Sequence, residues 1–232
     1  MSTIIALDTS SDVASVALLR EEKLQSLSSE GFSTHSLSTL PMMQQLMKEA
    51  GIAIGDVDAI AFGCGPGSFT GLRTACGIAQ GLSFGASIPV IPVVTLEAMA
   101  QSCRQKYAAD DVLALLDARM HEVYWAQYRH EDGRWKTIVE PSLSAAADVM
   151  PVGHPAFCGN GLSAYGDELK PVVKDDPRYP DVIPHAEAIA VLGRQRLLRD
   201  ETIRAADIAP LYLRNKVALK TVERLALKEK KE

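Results

Sequence analysis

The stretch Phe62–Gly81, FGCGPGSFTGLRTACGIAQG, holds six of the sixteen glycines in a chain of 232 residues. A Gly-Pro-Gly turn that opens a helix constrains the fold strongly. It calls for a strand before it, close backbone approach around it and a helix after it. The preceding VDAIAFG is almost wholly apolar and reads as a strand buried on both faces. Ser68 or Thr70 can cap the following helix, whose free N–H groups suit an anion. The known phosphate and nucleophile motifs nevertheless fail on spacing. Gly65 to Gly71 is one residue too long for a P-loop, and no lysine follows. GxGxxG breaks at Ser68 and again at Thr70, and a GxSxG elbow breaks at Pro66. Further along, Gly77, Gly81 and Gly85 recur every fourth residue and line one helix face. Three such glycines cost roughly 3 kcal/mol relative to alanine. Close approach of another backbone offsets that cost, and two sources stay open: the sheet beneath, or a helix of a second chain.

Around this loop the pattern is α/β. TIIALDTS, DVASVALLR and KLQSLSSEG read as three consecutive strands. THSLSTLPMMQQLMKEAG carries Leu37, Leu40, Met43, Leu46 and Met47 at helical spacing and ends at Gly51. Pro41 inside it predicts a kink or a delayed helix start. PVIPVV is a further strand, and TLEAMAQSCRQK a helix with Thr95 as its N-cap. Meandering strands followed by alternating helix and strand predict a mixed sheet covered by helices.

A weaker echo begins near residue 110. VLALLDARMHEVYWAQY aligns with TIIALDTSSDVASVAL when Asp117 is set on Asp8, with one inserted residue. Duplication of one α/β unit with a degraded second copy follows from this match. RWKTIVEP reads as a strand, the next stretch as Pro- and Gly-rich loop, and HAEAIAVLGRQRLLRD as a helix. The terminal LALKEKKE mixes charge signs and reads as a solvated end.

Composition narrows the classes of function. A net charge of −5 gives no general attraction for nucleic acid, so a partner must supply most phosphate contacts if RNA is involved. No secretory leader or membrane span is expected, and four cysteines without CxxC spacing fit a reduced, cytoplasmic chain. The five histidines never fall at i,i+4, so no metal site is expected. His35, ahead of an apolar helix, reads as an interface or capping residue. Asp8 and Asp117 close strands where α/β sheets place ligands, and turn-forming roles weigh equally with cation binding. An independent kinase or nuclease using Asp8, Asp12 and Asp117 is a rival reading; a protease is a weaker one.

ALDTS, AFGCGPGSFTGLRTACGIAQGLSFG, IPVIPVVTLEAMA, LLDARMHEVYWAQY and PLYLRN together resemble the TsaB (YeaZ) family over nearly the whole chain, least clearly across 141–205. These are bacterial partner subunits in the synthesis of tRNA threonylcarbamoyladenosine. The resemblance implies a two-lobed actin-like, Hsp70-like ATPase (ASKHA) fold of duplicated RNase H-like units with mixed five-stranded sheets. It divides the chain into 1–108, an N-terminal lobe for dimerisation and docking, and 109–232, a C-terminal lobe whose last segment packs back on the first. It implies no catalysis by this chain and no cofactor. The chemistry belongs to a TsaD-type metal-dependent threonylcarbamoyltransferase, which modifies the adenosine next to the anticodon in tRNAs reading ANN codons. A TsaE-type ATPase joins the pair, a homodimer forms in isolation, and tRNA enters only as substrate of the complex. The catalytic paralogue's two metal-binding histidines fall here on Thr95 and Met99. Asp8, Thr9, Ser10, Gly65, Gly67 and Ser68 become the positions of a vestigial phosphate loop. His35, Leu37, Leu40, Met43, Met47, Arg73, Gly77 and Gly81 become the docking face.

Overall fold

The computed structural model describes residues 2–31 and 35–214, so the expectation for LALKEKKE lies outside the described residues. Five strands form the first sheet: β1 (Thr3–Asp8), β2 (Val13–Arg20), β3 (Lys23–Glu30), β4 (Ala59–Gly65) and β5 (Val90–Val94), in the order β3-β2-β1-β4-β5. The pairs β1–β2 and β2–β3 are antiparallel, whereas β1–β4 and β4–β5 are parallel. The second sheet holds β6 (Asp111–Asp117), β7 (Glu122–Glu131), β8 (Arg134–Ala145), β9 (Ala156–Cys158) and β10 (Arg178–Tyr179), in the order β10-β9-β6-β7-β8. Read from the β8 edge, its order and strand directions repeat those of the first sheet. Asp8 and Asp117 close the equivalent strands β1 and β6.

The apolar runs are explained by what covers each face. Side chains alternate along a strand. Ile5 and Leu7 therefore meet α1 (His35–Glu49) and α2 (Phe69–Ala86) on one side of the first sheet. Ile4 and Ala6 meet α6 (Ala186–Leu197) on the other. A strand covered on both faces needs no polar residue. The helix α3 (Thr95–Tyr107) leaves the first sheet yet buries Leu96, Met99 and Cys103 against the second. In turn α6 leaves the second sheet and covers the first. The two sheets thus exchange helices, and Glu97 of α3 meets Arg196 of α6 at 2.5 Å in a largely buried ion pair.

Several expectations are corrected. The helix α1 starts at His35 and runs through Pro41 without a delayed start. Thr95 does not cap α3; Val94 occupies that position, and the Thr95 hydroxyl is buried without a hydrogen-bond partner. The supposed loop after Pro141 holds the end of β8, then β9, α4 (Gly161–Ala164), α5 (Gly166–Val173) and β10. Strands of three and two residues are too short to show periodicity. Backbone bonds fix them instead, from Phe157 N–H to Pro177 and from Gly159 N–H to Tyr179.

The glycines separate into two kinds. A Cβ on Gly71 would sit 1.7 Å from the Thr9 carbonyl oxygen, so only glycine fits there. At Gly77, Gly81 and Gly85 a Cβ would meet nothing within 4 Å. These three face outward, which removes the sheet as their close neighbour. Gly71→Ala should therefore lose cooperative folding or most of its stability. Gly77→Ala should gain about 0.5–1 kcal/mol from helix propensity alone. Urea denaturation of both variants tests the pair, and a Gly71→Ala protein as stable as the parent would contradict the packing.

Candidate functional site

A cleft of about 740 Å³ opens where the two sheets face each other. One wall is the turn after β1 together with the glycine loop and the start of α2; the other is the β6–β7 turn. Residues Leu211–Arg214 run along it.

The first wall is fastened from within. The Ser68 N–H donates to the Ser10 carbonyl at 2.8 Å, and the Thr9 hydroxyl donates to the Gly71 carbonyl at 2.6 Å. A Cβ on Gly67 would stand 2.5 Å from the same Ser10 carbonyl. The glycines let two turns lie backbone to backbone. Ser68 caps α2 by accepting from the Gly71 N–H. Of the six positions expected of a vestigial phosphate loop, Ser10, Gly67 and Ser68 line the cleft, whereas Asp8, Thr9 and Gly65 lie beneath it. Gly65 leaves room for the Leu211 carbonyl, and the Leu211 N–H donates to Cys64 at 2.7 Å.

Asp8 is inaccessible to solvent. Its Oδ1 accepts from the Ser10 N–H at 2.9 Å and the Ser10 hydroxyl at 2.8 Å, while Oδ2 has no partner. Oδ2 fits only because Gly63 lacks a Cβ, which would stand 1.9 Å away. Burial raises the Asp8 pKa above the carboxylate value of 3.8; the Ser10 bonds, His185 and His35 oppose the shift.

On the second wall, Asp117 Oδ1 accepts from the Arg119 N–H at 2.7 Å and the Tyr165 hydroxyl at 2.8 Å. Its Oδ2 pairs with the Arg119 guanidinium at 3.0 Å. Burial and the hydrogen bond to Asp117 push the Tyr165 hydroxyl up to about 12. Arg119, Met120 and His121 all hold φ near +60°, at 63°, 58° and 61°. Non-glycine residues seldom adopt that region. Arg214 supports the turn by donating to the Ala118 carbonyl at 3.0 Å and pairing with Glu122 at 2.6 Å. Asp12 and Asp117 line the cleft and Asp8 does not, so the three aspartates do not converge there.

The expected docking residues also divide. His35, Thr39, Met43 and Leu46 form the sheet-facing row of α1, and Met47 packs partly against the same core. Leu37 and Leu40 fall off that row and are 75% and 40% exposed. His35 and Met43 therefore support the core and offer no outer surface, because a helix turning every 3.6 residues separates them from Leu37 and Leu40. Gly77, Gly81 and Arg73 are exposed on α2, near Phe84 at 83% exposure. Phe84 was not legible as a surface residue, nor was the segment Leu211–Arg214 as a wall of the cleft.

Thr95 and Met99 do not fit a transition metal. Both are sealed in the core, and neither a hydroxyl nor a thioether replaces imidazole there. Among the described residues no group of three or more His, Cys, Asp or Glu side chains is placed to hold a metal ion. The four cysteines are free and buried. Burial raises Cys64 to about 12 and Cys76 to about 11, far from thiolate reactivity. Among the described residues no helix is long and apolar enough to cross a membrane.

Comparison with known proteins adds three findings. Residues 29–221 match the model of TsaD, tRNA N6-adenosine threonylcarbamoyltransferase. The chain is 37% identical to the tRNA threonylcarbamoyladenosine biosynthesis protein TsaB of Haemophilus influenzae, covering 94% of this chain and 96% of that one. Identity and coverage are the same for TsaB of Escherichia coli K12. Among solved structures, YeaZ from Pseudomonas aeruginosa superposes with a TM-score of 0.84 at 36% identity, over 92% of this chain and 100% of the other.

The unfolded chain releases the Asp8 proton at its ordinary value, whereas the folded chain holds it to higher pH. Between those values the native state binds more protons, so stability falls as pH rises through the window. Asp8→Asn removes that titration. The variant should gain on the parent as pH rises above the ordinary carboxylate value, read from urea midpoints. Parallel pH profiles for the two proteins would refute the buried carboxyl's role.

Proposed function

The chain belongs to the TsaB family, and from that premise we propose that it acts in tRNA threonylcarbamoyladenosine biosynthesis as a non-catalytic subunit. It binds and activates a TsaD-type threonylcarbamoyltransferase, which modifies the adenosine next to the anticodon in tRNAs reading ANN codons. The observation that carries this reading is the outer face of α1 and α2. Leu37, Leu40 and Phe84 expose apolar side chains there, beside a glycine row with open space above it. Exposed large apolar side chains on a helix face favour association, and glycines let a second helix approach to backbone distance.

In this reading residues 1–108 form the docking lobe and 109–232 a degraded second lobe of an actin-like ATPase fold. The two sheets of one topology support that assignment. Homodimers use the same face when the transferase is absent, so self-association and heteromeric binding compete. A TsaE-type ATPase joins the heteromer. The tRNA enters only as substrate of the complex, which sets the work in the cytoplasm. The phosphate-loop positions are vestigial here: the turns that would cradle an anion are bonded to one another.

Reconstitution of the modification from purified components, with and without this chain, tests the proposal. The modification should fall by roughly tenfold or more when the chain is left out. Gly81→Leu should melt like the parent, because nothing lies within 4 Å of the new Cβ, yet weaken the complex with the transferase by roughly tenfold or more. Full modification without the chain would overturn the function; full binding by folded Gly81→Leu would overturn the docking face.

A further inference from the structure

The outer face of α1 and α2 carries one polar group that its apolar character does not explain. Arg73 is the only charged residue among the eighteen of α2, whose first turn has no acid. A cation near the start of a helix works against the helix dipole. Among the described residues no acid pairs with Arg73, and neither of its Nη groups has a hydrogen-bond partner there.

The side chain is nonetheless held rigidly. Its guanidinium lies 3.8 Å from the centroid of the Phe69 ring, and its Nε–H donates to the Tyr212 hydroxyl at 3.0 Å. The Tyr212 ring leans on Phe69 with centroids 5.2 Å apart. Stacking fixes the plane of the fork and leaves the outer nitrogens available. Such an arrangement suits a planar carboxylate taken by two parallel bonds. Orientation is settled before binding, so little side-chain entropy is lost on contact.

We propose that Arg73 is the polar anchor of the docking face and takes an Asp or Glu carboxylate of the protein that docks there. The inference rests on the docking reading above and adds its chemistry. It also separates the two kinds of partner. A second copy of this chain brings the same face, on which Glu49 is the only acid of α1 and α2 and already accepts from Gln45 at 2.9 Å. Self-pairing therefore offers Arg73 only the Glu49 carboxylate, which already accepts from Gln45, and adds a second guanidinium. A different protein that supplies the carboxylate gains an interaction the homodimer lacks, so the heteromer is favoured by complementarity and the homodimer opposed by like charge. An RNA phosphate fits less well, because Asp12 and Asp117 line the adjoining cleft and the chain carries a net charge of −5.

Full-length parent, Arg73→Glu, Arg73→Lys and Gly81→Leu proteins should be titrated against the threonylcarbamoyltransferase of the same organism. Sedimentation equilibrium measures self-association in parallel. Arg73→Glu should weaken heteromeric binding by roughly a hundredfold while self-association stays within about twofold of the parent. Arg73→Lys keeps the charge without the fork, checks for misfolding of the reversed variant, and should fall between the two. Three outcomes overturn the anchor: parental binding by Arg73→Glu, equal loss of both associations, or a defect confined to tRNA binding by the isolated chain. If Arg73→Glu binds normally while Gly81→Leu fails, the anchor alone is wrong. If both bind normally, the docking reading falls with it.

Discussion

Two turns meet backbone to backbone at the head of the cleft. The Ser10 carbonyl accepts from the Ser68 N–H, and Gly71 lies so near Thr9 that no larger residue fits. Everything else at the cleft is arranged around that contact. It sets where α2 begins, and therefore which residues of α2 face the sheet and which face outward. It also buries Asp8 beneath the turn, where the carboxyl keeps one oxygen satisfied by Ser10 and the other without a partner. A loop that elsewhere would hold an anion is here occupied by its own chain, because its glycines are used for backbone contact.

Much of this was legible in the sequence, for identifiable reasons. The apolar run of β4 announced a strand covered on both faces, and Gly51, with φ of +66°, marked the end of α1. The alignment of Asp117 on Asp8 pointed to a repeated unit, and both residues close equivalent strands. Other parts left no local signal. The strands β9 and β10 exist through pairing with β6 and with each other, across long sequence separations. Thr95 resembled a cap by residue type, but the chain enters α3 one residue earlier. His35 and Met43 shared an apolar pattern with Leu37 and Leu40. Only the position of the sheet decides which of those residues are covered.

The same limit applied to the candidate site. Glycines spaced by four told of a close neighbour without saying whether it lay inside the chain. The space above Gly77, Gly81 and Gly85 removes the internal answer. Arg214 and Tyr212, far along the chain from the glycine loop, could not have been joined to the β6–β7 turn or to Arg73 from spacing. Both contacts depend on the return of the segment after α6 across the first sheet, where Ile203 pairs with Val90.

The exchange of α3 and α6 has an evolutionary consequence. Each half of the duplicated chain shelters the other, so neither could be discarded once the exchange was in place. Sites for ligands can erode in such a protein, since they sit on turns and loops at the rim. The crossed helices cannot, because losing either one strips a whole sheet of its cover. An ancestor with this arrangement can thus change the turns at its rim while its architecture persists.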